Sequence, residues 1–165
     1  MSAIVAAKHI GILPKDAIAA LAEFKNVKRR MEVIAKINGV TIYDDFAHHP
    51  TAIETTLDGL RKQVGQERII AIVEPRSNTM RLGVHTETLA LSLNKADVAI
   101  LYQPENLGWD LSGLLKYAGN IEICHTLDEI IDKLKLEARY GGNFVLMSNG
   151  SFGGIYQRLQ EALEK

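Results

Sequence analysis

The amino-acid sequence predicts an α/β protein with a mainly parallel sheet of about six strands, one antiparallel hairpin strand and helices on both faces. From residue 31 onward, short β-rich runs alternate with amphipathic helical stretches, which is the pattern of the units that build parallel sheets. Between the first two β-rich runs lies Asn38-Gly39, a dipeptide typical of a tight hairpin turn. The hairpin accounts for the antiparallel strand in the predicted sheet.

The N-terminal stretch shows helical patterns and no strand pattern. Ser2–His9 is rich in alanine, and a second helix is expected to open at Pro14 and to run through Phe24. A basic connector, residues 25–30, follows this helical hairpin. We predict a domain boundary within the connector, which divides the chain into residues 1–27 and 28–165.

The rest of the chain alternates between strand and helix patterns. Ile53, Leu57 and Leu60 form one apolar helical stripe, and Thr126 with Glu129 has the spacing of a helix capping box. The predicted strands are residues 31–37, 40–43, 68–73, 98–101, 121–123 and 144–147. The predicted helices after the connector are the one that carries this stripe, which begins at Pro50, residues 86–93, 111–117, the segment after the capping box, and 155–163. This alternation indicates a Rossmann-like arrangement.

Composition and charge exclude several classes of protein. With 165 residues, of which 47% are hydrophobic and 24% charged, the chain has an ordinary globular composition. Nineteen basic and 20 acidic residues give a formal net charge of −1, so we expect no nucleic-acid partner. No apolar run has membrane-spanning length, and the N-terminus lacks a signal-peptide pattern. The single cysteine, Cys124, fits a reducing compartment, so we expect a soluble cytoplasmic protein without a membrane partner.

Four polar or glycine-rich loops follow the predicted parallel strands. They comprise residues 44–50, 74–81, 103–109 and 148–154. Because the carboxyl ends of parallel strands meet at one edge of a sheet, these loops are expected to form one composite site. The loops at the opposite edge look like ordinary turns.

The first of these loops reads Asp-Asp-Phe-Ala-His-His-Pro. Asp45, His48 and His49 are candidate functional residues, since charged and imidazole groups on such a loop contribute little to packing. Asp45 and His48 are expected to lie past the end of the strand with exposed side chains. The alternative for Asp45 is a salt bridge with the basic connector. Pro50 suits the first position of the following helix.

The second loop reads Glu-Pro-Arg-Ser-Asn-Thr-Met-Arg. Arg76 and Arg81 could read a carboxylate or phosphate group through the planar fork of the guanidinium. Ser77, Asn78 and Thr79 add neutral hydrogen-bonding groups. The alternative is a solvated loop in which these three side chains satisfy the turn backbone.

The last loop, Ser-Asn-Gly-Ser-Phe-Gly-Gly, resembles a phosphate cradle but lacks the lysine of a P-loop. No G-x-x-x-x-G-K-[ST] motif occurs in the chain, and the glycines could equally permit close strand-to-helix packing. Adjacent His48 and His49 lack the spacing of a helical metal site, so no zinc site is expected. A phosphorylation-dependent receiver domain is the weaker interpretation, because Glu74, Gln103 and Ser148 stand where it needs an aspartate and a lysine.

Three segments together resemble the C-terminal domain of the bacterial Mur ligases, which are ATP-dependent amide-bond-forming enzymes of peptidoglycan assembly. They are Arg30-Met31-Glu32, residues 45–50 and residues 148–154. Residues 74–81 and 147–155 are most similar to the branch of that family that recycles murein peptides. The resemblance implies UDP-N-acetylmuramate and the tripeptide L-Ala-γ-D-Glu-meso-Dap as substrates, with ATP and Mg²⁺.

The resemblance also implies roles for individual residues. Arg30, Asp45 and His48 fall on the nucleotide side, where Asp45 would accept hydrogen bonds from ribose hydroxyls. His48 is the catalytic candidate, placed against the nucleotide or the attacking amine. The residues that would bind the tripeptide are His49, Arg76, Ser77, Asn78, Thr79, Arg81, Ser148, Asn149 and Ser151.

The resemblance covers only the last part of such an enzyme. It implies that residues 1–27 are trailing helices of the ATP-binding central domain and that residues 28–165 are the C-terminal domain. The UDP-sugar site, the P-loop and the metal ligands would lie in the missing N-terminal and central domains, so this chain alone is expected to be inactive. The competing hypothesis is a non-catalytic module that binds a small acidic ligand with the same four loops.

Overall fold

The structure is a computed structural model that describes residues 2–24, 27–76 and 86–164. Its strands are β1 Glu32–Ile37, β2 Val40–Asp45, β3 Ile69–Val73, β4 Val98–Tyr102, β5 Ile121–Cys124 and β6 Gly142–Met147. Its α-helices are α1 Ser2–His9, α2 Pro14–Ala22, α3 Pro50–Val64, α4 Thr86–Ser92, α5 Leu127–Ala138 and α6 Ile155–Leu163. Short 3₁₀ helices span Leu111–Lys116 and Phe152–Gly154.

The strands form one six-stranded sheet in the order β1-β2-β6-β3-β4-β5. Strand β1 is antiparallel to β2, and all the other neighbours are parallel, as the sequence predicts. The side chains of β3 alternate between two apolar clusters on opposite faces: Ile69 and Ala71 contribute to one, Ile70 and Ile72 to the other. Every residue of β3 is buried, because helices cover both faces of the sheet.

The β1–β2 hairpin turns at the predicted dipeptide. Asn38 and Gly39 have φ angles of 48° and 81°. Both values lie in the left-handed region that a tight two-residue hairpin requires and that asparagine and glycine tolerate best. The hairpin prediction is therefore confirmed, including its turn residues.

The helices begin and end close to the predicted positions, with two differences. Helix α5 is capped by Thr126, whose Oγ1 accepts from Glu129 N at 3.1 Å, while Glu129 Oε2 accepts from the backbone of His125. The predicted helix at 111–117 is a 3₁₀ helix. The 3₁₀ turn Phe152–Gly154 was not expected; it forms because the fully buried Phe152 folds the loop back onto the core.

Helices α1 and α2 bury little of their own surface. Ala17 is their one buried residue in the described part of the chain, whereas Val5 and Ile10 are 63% and 75% exposed. Helix α2 ends at Ala22, earlier than expected. None of the helices among the described residues combines the length and apolarity needed to cross a membrane. The domain boundary near residue 27 stays a prediction.

Candidate functional site

Three of the four predicted loops are bonded to one another at the carboxyl edge of the sheet. Strand β6 lies between β2 and β3, so the loops after these strands are neighbours. Ser148 N donates to the carbonyl of Asp45 at 3.1 Å, and Glu74 N donates to the carbonyl of Met147 at 3.0 Å. The Ser148 hydroxyl also bonds the Glu74 carboxylate. The described residues of these three loops are therefore neighbours, whereas the single four-loop site stays a prediction.

Asp45 is not exposed, so the expectation that its side chain lies past the strand is wrong. It is the last residue of β2 and only 3% exposed. Its Oδ2 accepts from Met31 N at 2.9 Å, and its Oδ1 accepts from Ala47 N at 2.8 Å and from the Thr56 hydroxyl at 3.3 Å. A buried carboxylate needs such donors, and here they come from the segments on both sides of the strand.

Phe46 organises the cationic and imidazole groups beside Asp45. The Arg30 guanidinium lies 5.6 Å from the centroid of the Phe46 ring, and the His48 ring meets it edge-on at 5.2 Å. His48 Nδ1 lies 2.8 Å from the carbonyl oxygen of Phe46, which favours the tautomer protonated on Nδ1. His48 and His49 are half-buried, and His49 occupies the N-cap position of α3 without a side-chain capping bond.

Arg29 links the end of β2 to the loop after β6. Its Nε donates to Asp44 Oδ2 at 3.1 Å, and its Nη2 donates to the carbonyl of Ser148 at 2.6 Å and to the Tyr156 hydroxyl at 3.4 Å. Tyr156 in turn donates to Asp44 Oδ1 at 2.8 Å. Burial and the Asp44 carboxylate raise the pKa of Tyr156 well above its ordinary value, so the phenol remains a donor. Burial lowers the pKa of Arg29, but Asp44 and Tyr156 outweigh it and the net pKa is raised.

The backbone around Arg30 is held in an unusual conformation. Arg29 and Met31 have φ angles of 58° and 50°, in the region that disfavours residues other than glycine. Arg29 N donates to Glu32 Oε2 at 2.8 Å, and Phe46 N donates to the carbonyl of Arg29 at 2.9 Å. Such conformations persist only where the surroundings fix them. Here the two backbone bonds of Arg29 and the bond from Met31 N to Asp45 fix the segment on both sides of Arg30.

Arg76 lies across Gly150 at the mouth of a cavity. A Cβ atom added to Gly150 would come within 2.8 Å of Arg76 Cζ and closer still to Nη1, so a side chain at position 150 would push this guanidinium from its present position. Arg76 is exposed, and among the described residues it forms no ion pair. The cavity has a volume of about 330 Å³ and is lined by Glu74, Pro75, Arg76, Tyr102, Pro104, Asn106, Leu107, Leu127 and Gly153.

The loop after β6 presents both fixed and unsatisfied polar groups. Gly150 N donates to Ser148 Oγ at 2.9 Å, which fixes the first turn of the loop. Within the described ranges, the buried Oδ1 of Asn149 has no hydrogen-bond partner. Ser151 is exposed, and its carbonyl accepts from Gly154 N at 3.1 Å. The loop thus contains a buried amide oxygen at Asn149 and an exposed residue at Ser151, and its Gly153 lines the Arg76 cavity.

Some predicted residues cannot be placed, and others were missed. Ser77, Asn78, Thr79 and Arg81 lie outside the described residues. Arg29 and Tyr156 were not singled out from the sequence. The signal that could have found Arg29 is Asp44: a second acidic residue at the end of a buried strand needs a cation, and the adjacent basic connector supplies one.

No group of three or more histidine, cysteine, aspartate or glutamate side chains in the described parts of the chain is arranged to hold a metal ion. The described side chains at this edge include guanidinium, hydroxyl and amide groups, which recognise ligands through hydrogen bonds and charge. Arg30, just before β1, and Arg76, after β3, both suit anionic ligands. Ser148 connects the two segments, because its carbonyl accepts from Arg29 and its hydroxyl bonds Glu74.

Comparison with known proteins agrees with this geometry. Residues 29–150 match the family described as Mur ligase, glutamate ligase domain. The chain is similar to the UDP-N-acetylmuramate–L-alanyl-gamma-D-glutamyl-meso-2,6-diaminoheptandioate ligases of Haemophilus influenzae and Escherichia coli. It is 43% identical to the former over 99% of the chain and 37% of that protein, and 45% identical to the latter over 100% and 36%.

A solved structure agrees as well. The crystal structure of a murein peptide ligase from Psychrobacter arcticus superposes with a TM-score of 0.78 at 44% identity, over 98% of this chain and 35% of that one. The chain thus spans little more than a third of the length of these relatives. The family match and the similar fold both cover the strands and loops that form the site, and the chain belongs to the Mur ligase family as its glutamate ligase domain.

Proposed function

We propose that this chain is the amine-presenting domain of a longer ligase that joins UDP-N-acetylmuramate to the tripeptide L-Ala-γ-D-Glu-meso-Dap for peptidoglycan recycling. The names of the two relatives support this assignment, because their similarity runs along nearly the whole chain. The observation that carries it is the Arg76 guanidinium, held over Gly150 beside a cavity of about 330 Å³. Unlike a single amino acid, the tripeptide carries several carboxylates, and a guanidinium fork suits that chemistry.

On the nucleotide side we assign Arg30, Asp45 and His48. The guanidinium of Arg30 has the planar donor geometry that suits a phosphate group. Both oxygens of Asp45 already accept backbone donors, so its main contribution is to hold the segments that carry Arg30 and His48. An oxygen with a remaining lone pair can still accept from a ribose hydroxyl. His48, protonated on Nδ1, has Nε2 as its acceptor nitrogen next to the nucleotide or the amine.

On the peptide side we assign Arg76, Ser148, Asn149 and Ser151, with His49 at the border between the two sides. Asn149 is assigned for its carboxamide, whose buried Oδ1 has no hydrogen-bond partner among the described residues and can accept from an N–H group once the loop moves to meet the peptide. We also assign to the tripeptide the residues that follow Arg76 in the sequence, namely Ser77, Asn78, Thr79 and Arg81.

In the proposed reaction, the sugar carboxylate takes the terminal phosphoryl group of ATP to give an acyl phosphate and ADP. The neutral peptide amine then attacks the acyl carbon, loses a proton and displaces phosphate, and Mg²⁺ held by the other domains would neutralise phosphate charge. This domain holds the amine and the nucleotide in register, and positioning of that kind supplies a large part of the rate of such reactions. No step is assigned to a metal ion on this domain. The UDP-sugar site, the P-loop and the metal ligands belong to the other domains of the full-length enzyme. We propose that this enzyme works in the cytoplasm.

The test uses the full-length protein with ATP, UDP-N-acetylmuramate and either the tripeptide or L-alanine. L-Alanine presents the same attacking amine as the tripeptide but lacks its distal carboxylates. We expect kcat/KM for the tripeptide to exceed that for L-alanine by about a hundredfold, the effect of losing one or two charge-assisted contacts. Equal use of both amines would overturn the substrate assignment. Binding of the tripeptide without product or phosphate release would favour the non-catalytic module.

A further inference from the structure

We propose that Arg29 is a positioning residue that sets the nucleotide side and the peptide side of this edge relative to each other. The inference rests on the proposed function, because it assumes that the loop after β2 serves the nucleotide and the loop after β6 serves the peptide. It assigns to Arg29 no contact with substrate.

The side chain of Arg29 reaches both loops with one guanidinium. Nε bonds Asp44, at the end of β2, with an N···O distance of 3.1 Å. Nη2 bonds the carbonyl of Ser148, the first residue after β6, at 2.6 Å. The two partners stand on neighbouring strands, so the rigid guanidinium plane fixes the spacing between the two loops.

The backbone of Arg29 fixes the position of Arg30. The Arg29 carbonyl accepts from Phe46 N at 2.9 Å, and the Arg30 guanidinium then lies over the Phe46 ring. Arg29 and Met31, on either side of Arg30, have left-handed φ angles that are unfavourable without such support. Losing the Arg29 side-chain contacts therefore frees the segment to relax, and Arg30 moves with it.

Tyr156 completes the arrangement. Its hydroxyl donates to Asp44 Oδ1 at 2.8 Å and accepts from Arg29 Nη2 at 3.4 Å. A lysine at position 29 has a single ammonium group in place of the fork, so it cannot hold Asp44 and the Ser148 carbonyl in the same geometry. Arg29→Lys therefore keeps the charge and removes the coupling between the loops.

Arg61 provides a matched control at the opposite edge of the sheet. Its guanidinium donates to the carbonyls of Lys95 and Glu67 at 3.1 and 2.7 Å and pairs with Asp97 at 2.7 Å. Arg61→Lys thus removes a comparable fork between turns that carry no proposed substrate contact. A purely structural effect of losing an arginine fork should be the same in both variants.

The test measures KM for ATP, KM for the tripeptide and the melting temperature in full-length wild type, Arg29→Lys and Arg61→Lys. We expect Arg29→Lys to raise both KM values about tenfold, the usual consequence of losing one charge-assisted hydrogen bond. Arg61→Lys should leave both KM values within about twofold of wild type, even with a similar fall in melting temperature. KM values unchanged in Arg29→Lys, a rise for one substrate alone, or an equal rise in Arg61→Lys would each overturn the proposal.

Tyr156→Phe is a milder variant that keeps the ring and removes only the bridging hydroxyl. It should raise both KM values by about threefold, and the double variant with Arg29→Lys should be no worse than Arg29→Lys alone, because both act on one network. Additive effects would contradict a shared network. A wild-type enzyme that forms no amide bond would refute the proposed function, whereas an active wild type with an unaffected Arg29→Lys variant would refute only this inference.

Discussion

Asp45 satisfies three donors with one buried carboxylate, and this makes it a structural residue as well as a proposed nucleotide-side residue. The donors are the backbone N–H groups of Met31 and Ala47 and the hydroxyl of Thr56. They lie immediately before β1, on the loop after β2 and on helix α3. One side chain therefore joins three segments around Arg30 and His48.

Replacing Asp45 with alanine should destabilise the domain. The change leaves two backbone N–H groups without their acceptor, and each such loss costs about 1–3 kcal/mol when the group stays buried. We expect a loss of about 3 kcal/mol in the free energy of unfolding and a fall of roughly 10 °C in melting temperature. Urea unfolding and calorimetry of the 165-residue chain measure both quantities.

Asp58→Ala is the matched control for this prediction. Asp58 is partly exposed on α3, and its ion pair among the described residues is with Lys62, one turn along the same helix. Its removal should leave the melting temperature close to that of the wild type. If Asp45→Ala melted as close to wild type as Asp58→Ala, the bonds assigned to Asp45 would not support the fold.

The sequence predicts which residues lie at the carboxyl edge of the sheet. It does not predict how buried these residues are or which groups they contact. Arg76 and His48 follow directly from their positions after parallel strands. The bond between Arg29 and Ser148 joins residues 119 positions apart, and it exists only because β6 inserts beside β2. Local sequence patterns do not determine the order of strands in a sheet. Neither the contacts of Arg29 nor the burial of Asp45 could therefore be derived from the sequence.

At the scale of single elements, local signals were sufficient for most of the fold. The Asn38-Gly39 turn, Pro50 at the start of α3 and Thr126 at the cap of α5 each act through neighbouring residues, and the structure has all three. The unexpected 3₁₀ turn at Phe152–Gly154 depends instead on the apolar cluster that receives Phe152. Tertiary packing determined that turn.

Asp97 ties the beginnings of β3 and β4 to α3, and this junction should respond to pH. Asp97 accepts from Ile69 N at 2.8 Å and from Arg61. Burial works in the opposite direction, but these hydrogen bonds and the charge of Arg61 lower the pKa of Asp97 below its ordinary value of 3.8. A lowered folded-state pKa means that the contribution of Asp97 to stability is complete above about pH 4 and is lost as the pH falls further.

Asp97→Asn should therefore be less stable than wild type at neutral pH, and the difference should shrink as the pH falls from about 4 towards 2. Urea midpoints measured across that range follow the effect. Asp132→Asn, on the exposed surface of α5, controls for general charge effects. A difference between wild type and Asp97→Asn that stayed constant down to the lowest pH would show that the ionisation of Asp97 does not support this junction.

At the scale of the whole molecule, α1 and α2 stand apart from the sheet in their packing. Ala17 is the one residue that they bury in the described part of the chain, while Phe24 and Ile18 are 62% and 56% exposed. Apolar surface of that extent on a helical hairpin usually faces another structure. The assignment of residues 1–27 to a preceding domain stays a prediction.

A truncated chain of residues 28–165 should consequently keep the fold and the unfolding midpoint of the whole chain. The sheet and both apolar clusters lie entirely beyond residue 27, so removing the hairpin takes away little buried surface. Binding of a hydrophobic dye should fall, because the exposed apolar residues are gone. Loss of cooperative unfolding in the truncated chain would place α1 and α2 in the same folding unit as the sheet.

The central claim is that Arg76, seated on Gly150, reads the carboxylates of the murein tripeptide. Losing a charge-assisted contact of this kind costs about 1.5–3 kcal/mol, which is roughly ten- to a hundredfold in affinity. Gly150→Ala tests the same contact while keeping the arginine in the sequence, because the new Cβ would displace the Arg76 guanidinium. Arg139→Ala, an exposed arginine at the opposite edge, and Gly59→Ala, which meets no neighbour within 4 Å, are the controls.

The most direct measurement is therefore KM for the tripeptide and for ATP in the full-length enzyme carrying Arg76→Ala or Gly150→Ala. Both variants should raise KM for the tripeptide roughly ten- to a hundredfold and leave KM for ATP within about twofold, while both controls behave as wild type. Equal losses for the tripeptide and ATP, or an unchanged KM for the tripeptide, would show that this loop does not read the peptide.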